Sequence, residues 1–423
     1  MLDIKFIREN ADVVKQALAN RNAEADIDGL LELDHLRRAV ITEAEGLKTE
    51  RNAASKAIGG LMKEGKKDEA EASKENVRII GDRIAVLDEQ VRELDEKISN
   101  IILYIPNLPS ATTPVGSSEE DNPVLRSFGE KKEFSFEVKP HWDICEELKL
   151  VDFERGAKIT GSGFPVYTGQ GAKLQRSLIS FMLDLHTTEH GYTEVEPPFV
   201  CNADSMTGTG QLPKFSEDMY YTPSDELYLI PTAEVPVTNL YREEIIDVEK
   251  PVKLTAYTPC FRREAGAAGR DTRGLLRLHQ FDKVEMVNFV TPEQSAAQHE
   301  ILIAEAEKVL QLLGLHYRVI ELCTADLGFS AAKCYDIELW APGVERWLEV
   351  SSVSNFGDYQ ARRARIRCRD ENGKPQFVHT LNGSGVALPR LVVALIESYQ
   401  NADGTVTLPE VLRPYMGGLE KLG

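Results

Sequence analysis

A glycine- and arginine-rich loop between two strand-like segments is the part of this sequence best suited to chemistry. The first segment ends in FRREAG at residues 261–266, the loop GRDTRG covers 269–274, and the second segment reads LHQFDKVE over 278–285. Arginine forks match the geometry of phosphates and carboxylates. The combination of arginines, carboxylates and an aromatic ring therefore indicates a site for a nucleotide and a small zwitterion.

Alternation along these two segments predicts which side chains share a face, because every second residue of a strand points to the same side of the sheet. On the first strand we expect one face to carry Thr258, Cys260, Arg262 and Glu264. On the second strand we expect a shared face with Phe281, Lys283 and Glu285. Unpaired charges are costly to bury, so a binding surface explains this face better than a core. A surface salt-bridge ladder is the alternative.

A second glycine-containing turn, TLNGSGVALPR at residues 380–390, leads into a predicted helix near the C-terminus. The apolar positions of that helix have helical spacing and are Leu388, Leu391, Val392, Leu395 and Ile396. Pro389 suits the first turn of a helix. Arg390 is therefore expected at a helix start, where backbone amides and the helix dipole favour an anion. A structural helix cap is the alternative.

Two long helices over about residues 27–102 are predicted to pack as an antiparallel coiled-coil hairpin. The second helix has an unbroken heptad seam of Val77, Ile80, Ile84, Leu87, Val91, Leu94, Ile98 and Ile101. The first helix has a looser seam of Leu33, Leu36, Val40, Leu47, Ala54, Ile58 and Leu61. The predicted turn material is Gly59-Gly60 followed by residues 65–68. Arms of about 35 residues reach about 50 Å, so the hairpin is expected to project and to contact a partner.

Basic residues are concentrated near the predicted tip of this hairpin, although the chain of 423 residues has a net charge of −19. The basic residues there are Lys48, Arg51, Lys56, Lys63, Lys66 and Lys67, against Glu50 and Glu64. Whole-chain charge says little about one surface, because exposed charges are screened within about 10 Å. A projecting basic surface suits contacts with RNA phosphates. An ordinary solvated face is the alternative.

The composition divides the chain into an N-terminal domain at residues 1–105, a linker at 106–123 and a second domain at 124–423. The linker is rich in proline, serine and threonine, which interrupt both helix and strand periodicity. After it, short alternating strands appear between helices without a regular strand–helix–strand series. We therefore expect an α+β second domain with a largely antiparallel sheet.

Several other classes of protein fit the sequence poorly. Residues 60–67 nearly spell a P-loop but lack its Ser or Thr, and no strand precedes them. The six cysteines are scattered with no C-x-x-C pair, so neither a zinc ribbon nor a disulfide framework is expected. We see no signal peptide and no apolar run near the about 20 residues that cross a bilayer. A cytoplasmic protein without a membrane partner is therefore expected.

The motifs together resemble those of class II aminoacyl-tRNA synthetases. Residues 261–264 with their loop resemble motif 2, residues 383–390 resemble motif 3, and HGYTEVEPP at 190–198 resembles motif 1. PTAE at 231–234, GRDTRG at 269–274, EVSS at 349–352 and the hairpin are similar to the bacterial-type seryl-tRNA synthetases. The resemblance covers essentially the whole chain in order. Arg263 and Leu388–Pro389 depart from it only at positions that are expected to vary.

This resemblance implies a homodimer built through motif 1 and a reaction in two steps. The serine carboxylate attacks the α-phosphate of ATP and expels pyrophosphate, and the terminal ribose hydroxyl of tRNA then attacks the seryl-adenylate. The implied substrates and partners are serine, ATP with Mg²⁺, tRNA(Ser) and tRNA(Sec), and no zinc is implied. The hairpin would grip the long variable arm of the tRNA with Lys48, Arg51, Lys56 and Lys63.

The resemblance also implies a role for each site residue. The catalytic residues would be Arg262, which joins the serine carboxylate to the α-phosphate, Glu264, which reads the adenine amino group, and Arg390. Phe281 and Arg390 would sandwich adenine, and Arg390 would also reach the γ-phosphate. The remaining ATP contacts would be Arg263, Glu349, Val350, Ser351 and Ser352. The serine pocket would consist of Thr232, Ala233, Glu234, Arg262, Glu285 and Ser384, with Glu285 reading the serine hydroxyl.

Glu349 and Ser352 would hold Mg²⁺, since this hard cation prefers oxygen ligands. The two residues are three apart and so do not share a face of a regular strand. A bend or strand end is therefore predicted within residues 346–352.

Two alternatives remain open from the sequence. One is another class II ligase: a threonyl or prolyl enzyme, which would need a zinc site or other domains, or a carrier-protein aminoacylating paralogue, which would lack the long hairpin. The other is a catalytically silent RNA-binding scaffold that keeps only the arm and the fold. The charged residues that argue against a scaffold are Arg262, Glu264, Glu285, Glu349 and Arg390.

Overall fold

The computed structural model describes residues 1–265 and 273–423 and divides the chain into two compact units. The smaller unit contains residues 2–19 and 23–106, and the larger contains Met1 with residues 20–22 and 107–423. Residues Gly269–Thr272 of the predicted loop lie outside the described residues. In the part of the chain that is described, no helix is both long and apolar enough to cross a membrane.

The smaller unit is helical and contains the predicted hairpin. Its helices are α1 (Ile4–Glu9), α2 (Ala11–Asn20), α3 (Ile27–Lys63) and α4 (Lys67–Ile102). The carboxylate of Asp26 accepts the Gly29 N–H at 2.9 Å and so caps the first turn of α3. Gly65, with a φ of 78°, makes the left-handed turn between the long helices. Two helices of 37 and 36 residues joined by a short turn confirm the predicted hairpin.

Five of the eight predicted seam residues of α4 are buried, and the seam packs against Val40 and Ala44 of α3. The other three, Val77, Val91 and Ile101, are half-buried. On α3 the prediction was wrong for Leu36, which is 51% exposed. The spacing of seven from Leu33 to Val40 leaves position 37 on the seam, and Arg37 there forms an ion pair with Asp95 of α4. The ion-paired Arg37, and not the predicted Leu36, therefore occupies this position of the α3 seam.

The turn between the helices also differs from the prediction. Gly59-Gly60 belong to α3, and the helices are separated only by residues 64–66. A Cβ added at either glycine would meet no atom within 4 Å, so nothing packs against them. The intact backbone hydrogen bonds of a long helix tolerate two exposed glycines, at a cost of about 1 kcal/mol each relative to alanine.

The larger unit is α+β and is organised around an antiparallel sheet. Its strands are β1 (Val124–Phe128), β2 (Val151–Asp152), β3 (Val166–Tyr167), β4 (Thr193–Glu194), β5 (Val200–Cys201), β6 (Tyr221–Thr222), β7 (Leu227–Leu229), β8 (Val252–Phe261), β9 (Gln280–Val290), β10 (Tyr317–Glu321), β11 (Lys333–Ala341), β12 (Arg346–Asn355), β13 (Arg367–Arg369), β14 (Pro375–Phe377), β15 (His379–Ala387), β16 (Val406–Thr407) and β17 (Lys421–Leu422). Its α-helices are α5 (His141–Glu147), α6 (Phe153–Thr160), α7 (Gly169–Thr188), α8 (Ala203–Thr209), α9 (Glu234–Asn239), α10 (Ser295–Leu312), α11 (Tyr359–Ala364) and α12 (Leu388–Ser398). Short 3₁₀ helices cover Glu119–Asp121, Ser216–Asp218 and Glu410–Leu412.

The central sheet of this unit has the strand order β1-β10-β11-β12-β15-β9-β8-β4 among the described residues. Neighbouring strands are antiparallel except β4 and β8, which are parallel. The main hydrophobic core lies where α7, α10 and α12 contribute residues such as Met182, Val309 and Leu395 to one buried cluster with the sheet. The predicted antiparallel sheet is confirmed, and β9 and β15 at its centre carry the residues of the candidate site.

Candidate active site

A cavity of about 750 Å³ opens over the central strands of the larger unit. Most of the predicted site residues line it together: Thr232, Glu234, Arg262, Glu264, Phe281, Glu285, Glu349, Val350, Ser352, Ser384 and Arg390. The predicted common face of Phe281, Lys283 and Glu285 on β9 is confirmed, since all three line the cavity. The fold therefore brings distant segments of the sequence to one charged cavity.

Three predicted site residues lie outside the cavity lining, and their roles stay predictions. Ala233 is fully buried in a hydrophobic cluster. The Ser351 hydroxyl donates to the carbonyl oxygen of Ser384 at 2.6 Å, so it stabilises the backbone of a residue that lines the cavity. The backbone N–H of Arg263 donates to the carbonyl oxygen of Asp218 at 3.0 Å.

The first strand of the motif 2 segment ends earlier than predicted. Strand β8 stops at Phe261, and Glu264 has a φ of 52° in the left-handed region. The predicted strand face was therefore wrong for Glu264, and Cys260 is fully buried. Asp218 explains the bend, because its carboxylate accepts the Ala265 N–H at 3.0 Å in addition to the Arg263 contact. Glu264 still reaches the cavity, but it does so from a turn.

The floor of the cavity is a buried carboxylate, Glu285, with an exposure of only 2%. The Thr232 hydroxyl donates to Glu285 Oε2 at 2.9 Å, and the Lys283 ammonium forms an ion pair with the same carboxylate. Ser384 lies directly opposite Glu285 on the neighbouring strand β15. The hydrogen bond from Thr232 and the opposite charge of Lys283 offset the cost of burying this carboxylate. The result is a fixed polar floor that offers an acceptor to a small ligand.

Glu234, at the start of α9, lies beside this floor and accepts a hydrogen bond from Gln360 Nε2 at 2.6 Å. Burial, and then the charge of Glu285, raise the pKa of Glu234 from about 4.5 to about 7. Both causes disfavour the charged form of a carboxyl group. Glu234 is therefore poised to change its protonation state near neutral pH.

This raised pKa predicts a stability that falls as the pH rises from about 4.5 to about 7. In that window Glu234 loses its proton in the unfolded chain but keeps it in the folded chain. The contribution of this group to the free energy of unfolding is therefore largest at low pH and is lost as the pH rises. The loss amounts to at most about 3 kcal/mol. We expect Glu234→Gln to lose less stability over this window than the parent, measured by urea unfolding at several pH values. Equal slopes for the two proteins would contradict the raised pKa.

Arg262 and Arg390 line the cavity from two separate segments of the sequence. The Arg262 guanidinium lies 5.2 Å from the centroid of the Phe281 ring, and its Nε donates to the Pro231 carbonyl oxygen at 3.3 Å. Arg390 is at the start of α12, as predicted, and its Nη1 donates to the Glu349 carbonyl oxygen at 2.9 Å. Arg390 Nη1 also lies 3.6 Å from the Glu349 carboxylate. Each guanidinium has five N–H donors, so these contacts leave donors available to an anion.

A β-bulge in strand β12 provides the predicted bend between Glu349 and Ser352. Ser351 pairs with Ile337 on β11, but Glu349 pairs with Glu338, so Val350 is the additional residue. An extra residue shifts the alternation of side chains by one position. Glu349 and Ser352 consequently line the same cavity although they are three residues apart.

Arg277, which the sequence analysis did not single out, also lines the cavity. Its Nη1 lies 2.6 Å from Glu264 Oε2, so it fixes the carboxylate predicted to read adenine. The carbonyl oxygen of the preceding residue, Leu276, accepts the Nε of Arg390 at 3.3 Å. These contacts could not be predicted from residue spacing, because they depend on the path of the chain between the loop and β9.

The predicted tRNA-binding residues lie on α3 in the smaller unit. Lys48 forms an ion pair with Asp88 at 2.8 Å. Arg51 is partly exposed, whereas Lys56 and Lys63, nearer the tip, are exposed. The outer two lysines are thus the most accessible of the predicted set.

Comparison with known proteins identifies the family. Residues 1–109 match the family model of the seryl-tRNA synthetase N-terminal domain, and residues 217–399 match that of the class II tRNA synthetase core domain (G, H, P, S and T). The chain is 56% identical over 424 residues to the serine–tRNA ligase of Pelotomaculum thermopropionicum, with 100% of both chains covered. The chain belongs to the seryl-tRNA synthetase family. The Geobacter sulfurreducens serine–tRNA ligase is 53% identical over 425 residues, again with 100% of both covered.

Solved structures agree with this membership of the seryl-tRNA synthetases. The Pyrococcus horikoshii seryl-tRNA synthetase, complexed with ATP, has a TM-score of 0.92 at 38% identity, covering 100% of this chain and 99% of that one. The cytoplasmic serine–tRNA ligase of Naegleria fowleri, complexed with AMP, has a TM-score of 0.87 at 29% identity, covering 100% and 98%. The Giardia lamblia prolyl-tRNA synthetase, at 17% identity and a TM-score of 0.57, shares the fold alone.

The chain is thus an ATP-dependent aminoacyl-tRNA ligase that joins serine to tRNA, as the sequence motifs predicted. The predicted fold class is confirmed as well, with a class II core and an N-terminal helical hairpin. Membership of the seryl family removes the threonyl, prolyl and carrier-protein alternatives.

Proposed function

We propose that the 750 Å³ cavity is where serine and ATP react to form seryl-adenylate. The observation that carries this proposal is the convergence of Arg262, Glu285 and Arg390 on one cavity. In the reaction, a serine carboxylate oxygen forms a bond to the α-phosphorus while the bond to the pyrophosphate leaving group breaks. Arg262 binds both the carboxylate and the α-phosphate with its planar fork and holds them in line. The protein mainly positions groups and neutralises charge, as in other phosphoryl transfers.

Serine binds over the polar floor, with its hydroxyl at Glu285 and its ammonium near Glu234. Thr232 and Ser384 flank these carboxylates, which supports this pocket. Because the ammonium favours the ionised form of Glu234, serine binding near pH 7 releases a proton. The KM for serine is therefore expected to fall as the pH rises through about 7, where the pKa of Glu234 lies.

Adenine binds between Phe281 and Arg390, with its amino group at Glu264. The Arg262 guanidinium lies against Phe281 at 5.2 Å, and an adenine on that face displaces it toward the α-phosphate. Arg390 adds a cation–π contribution of about 1–2 kcal/mol and reaches the γ-phosphate. Arg263, Val350 and Ser351 complete the ATP site through backbone or supporting contacts.

We propose that Mg²⁺ accompanies ATP and is held by Glu349 and Ser352. Among the described residues no group of three or more His, Cys, Asp or Glu side chains is placed to hold a metal. A carboxylate and a hydroxyl brought together by the β-bulge fit a cation that takes its remaining oxygen ligands from phosphates and water. When bound, the cation neutralises phosphate charge. No zinc is part of the proposal.

Replacing Glu349 by glutamine should raise the Mg²⁺ concentration needed for half-maximal pyrophosphate exchange by about tenfold, because a neutral amide oxygen is a weaker ligand. Mn²⁺ binding to the ATP complex, followed by electron paramagnetic resonance, should weaken in parallel. Glu338→Gln is the matched control, since Glu338 lies opposite Glu349 on β11 but pairs with Arg318 at 2.5 Å. An equal effect of the two substitutions would mean that the local negative charge, and not direct ligation by Glu349, determines the affinity for the cation.

We further propose that the hairpin binds the variable arm of tRNA(Ser) through Lys48, Arg51, Lys56 and Lys63, and that tRNA(Sec) is charged as well. The Methanopyrus kandleri seryl-tRNA synthetase has been solved in complex with Aquifex aeolicus tRNA(Sec). That protein is 20% identical to this chain and shares only its fold, so the proposal rests on the exposed lysines of the arm. Failure of tRNA(Sec) to compete with tRNA(Ser) in charging would refute it.

We propose that two copies assemble through the motif 1 segment and that the enzyme works in the cytoplasm, where tRNA is charged. Strand β4 of this segment lies at the edge of the sheet, and Phe199 and Val200 beyond it are 39% and 42% exposed. Apolar side chains at a sheet edge suit a self-complementary contact. A sedimentation mass equal to one chain of 47.2 kDa would contradict the dimer.

A further inference from the structure

A buried histidine–glutamate pair contacts the segment that leads from the motif 2 loop into β9. His141 at the start of α5 and Glu397 near the end of α12 are both 0% exposed. His141 Nδ1 lies 2.8 Å from Glu397 Oε1, and the backbone N–H of His141 donates to the same oxygen at 2.8 Å. The other carboxylate oxygen accepts the N–H groups of Gly343 at 2.8 Å and Val344 at 3.2 Å. Glu397 is therefore a fully buried carboxylate with partners on both oxygens.

The second ring nitrogen of His141 reaches the loop segment itself. The backbone N–H of Leu275 donates to His141 Nε2 at 3.1 Å. A backbone N–H can only donate, so Nε2 is unprotonated and the proton lies on Nδ1, where it is donated to Glu397. The carboxylate thus fixes the tautomer that the loop contact requires.

Neighbouring contacts fit the loop closely to the same place. The Arg273 guanidinium lies 4.4 Å from the centroid of the Trp142 ring, next to His141 in sequence. A Cβ added at Gly274 would come within 2.2 Å of His141 Nε2, and Gly274 has a φ of 70°. Only glycine combines this backbone conformation with this close approach.

The anchored segment leads directly into the proposed ATP site. The residue after Leu275 is Leu276, whose carbonyl oxygen accepts Arg390 Nε at 3.3 Å. The next residue is Arg277, whose guanidinium lies 2.6 Å from the Glu264 carboxylate. A shift of the segment at Leu275 therefore moves partners of Glu264 and Arg390, two of the three residues proposed to bind adenine.

We propose that His141, with its tautomer set by Glu397, is a positioning residue for ATP binding. It holds the C-terminal limb of the motif 2 loop so that Leu276 and Arg277 present Arg390 and Glu264 to the nucleotide. His141 itself does not line the cavity. This inference rests on the ATP roles proposed above for Glu264 and Arg390.

The test compares ATP and serine kinetics in His141→Phe, which keeps a ring of similar size but loses both polar contacts. We expect its KM for ATP in pyrophosphate exchange to rise on the order of tenfold, since small displacements of binding groups have large effects. The KM for serine should change much less, because Thr232 and Glu285 are held by other contacts. His141→Gln keeps an amide donor and a carbonyl acceptor and should stay within about threefold of the parent.

Two further variants separate positioning from general stability. Gly274→Ala disturbs the loop contact without altering Glu397 and should reproduce the rise in KM for ATP even if His141→Phe folds poorly. Tyr399→Phe removes a 2.7 Å hydrogen bond to the Leu313 carbonyl oxygen at the same end of α12 and should leave both KM values unchanged. Thermal denaturation is measured for all variants.

The outcomes are distinguishable. An unchanged KM for ATP in the folded His141 and Gly274 variants, or an equal rise in the KM values for ATP and serine, would overturn the positioning role. Arg390→Ala is measured in parallel. If it leaves the KM for ATP unchanged, the proposed ATP site itself fails, whereas a rise in Arg390→Ala alone overturns only the role of His141.

Discussion

Replacing Glu285 by alanine should nearly abolish activation of serine while ATP binding survives. The carboxylate is 2% exposed and is held by Thr232 at 2.9 Å and by Lys283. Its removal takes away the proposed acceptor for the serine hydroxyl and leaves the buried Lys283 ammonium without this partner. Sites built around a substrate hydroxyl lose on the order of 10⁴-fold or more when that contact is missing. We expect kcat/KM for serine in pyrophosphate exchange to fall by about 10³-fold or more.

The ratio of the kcat/KM values for serine and alanine tests the proposed role of Glu285 more directly than the value for serine alone. In the parent, alanine offers no hydroxyl to Glu285 and should be rejected, whereas in Glu285→Ala the two amino acids should differ little. Binding of a non-hydrolysable ATP analogue, measured by calorimetry, should stay close to that of the parent because Phe281 and Arg390 are unchanged. Glu371→Ala, at an exposed position, is the control. Near-normal serine activation by Glu285→Ala would remove this residue from the pocket.

Features with a local period could be predicted from the sequence. The α4 seam and the apolar stripe of α12 are visible because helix periodicity repeats every three to four residues. On α3 the same reasoning failed at Leu36, since Arg37 covers the seam position and pairs with Asp95 of the other helix. A cross-helix ion pair leaves no trace in the hydrophobic pattern of one helix.

The bend between Glu349 and Ser352 was predictable only in part. Two residues three apart cannot share a strand face, so the shared role required an irregularity. Its form, a bulge with Val350 as the additional residue, depends on the pairing of β12 with β11. A sequence does not specify which strand will be its neighbour, and so the site of the bulge could not be read from it.

The turn at Glu264 and the residues that support the proposed ATP site could not be predicted. The turn depends on Asp218, which lies in a separate 3₁₀ helix and binds backbone groups on both sides of Glu264. His141 and Glu397 belong to no motif, and each is an unremarkable residue until the fold buries them together. Residues that touch the ligand form recognisable patterns, whereas residues that hold them in place are found only through three-dimensional contacts.

Deleting residues 35–95 should leave seryl-adenylate formation unchanged and abolish the charging of tRNA. The deleted residues belong to the smaller unit, whereas every residue that lines the candidate active site belongs to the larger one. The ends are close together, because Arg37 and Asp95 form an ion pair, so a short glycine–serine linker joins them. Loss of several phosphate contacts lowers tRNA affinity by about 10³-fold or more at moderate salt. Unchanged charging would refute the role of the arm.

Point substitutions on the arm separate phosphate contacts from damage to the helices. Lys56→Ala combined with Lys63→Ala removes two exposed charges and should weaken tRNA binding at low salt. If each lysine contacts one phosphate, the slope of log affinity against log salt should decrease by about 1 per residue. Lys74→Ala is the matched control, since Lys74 on α4 already pairs with Glu71 at 3.0 Å. A weaker affinity with an unchanged slope would mean that these lysines support the hairpin and do not bind the RNA backbone.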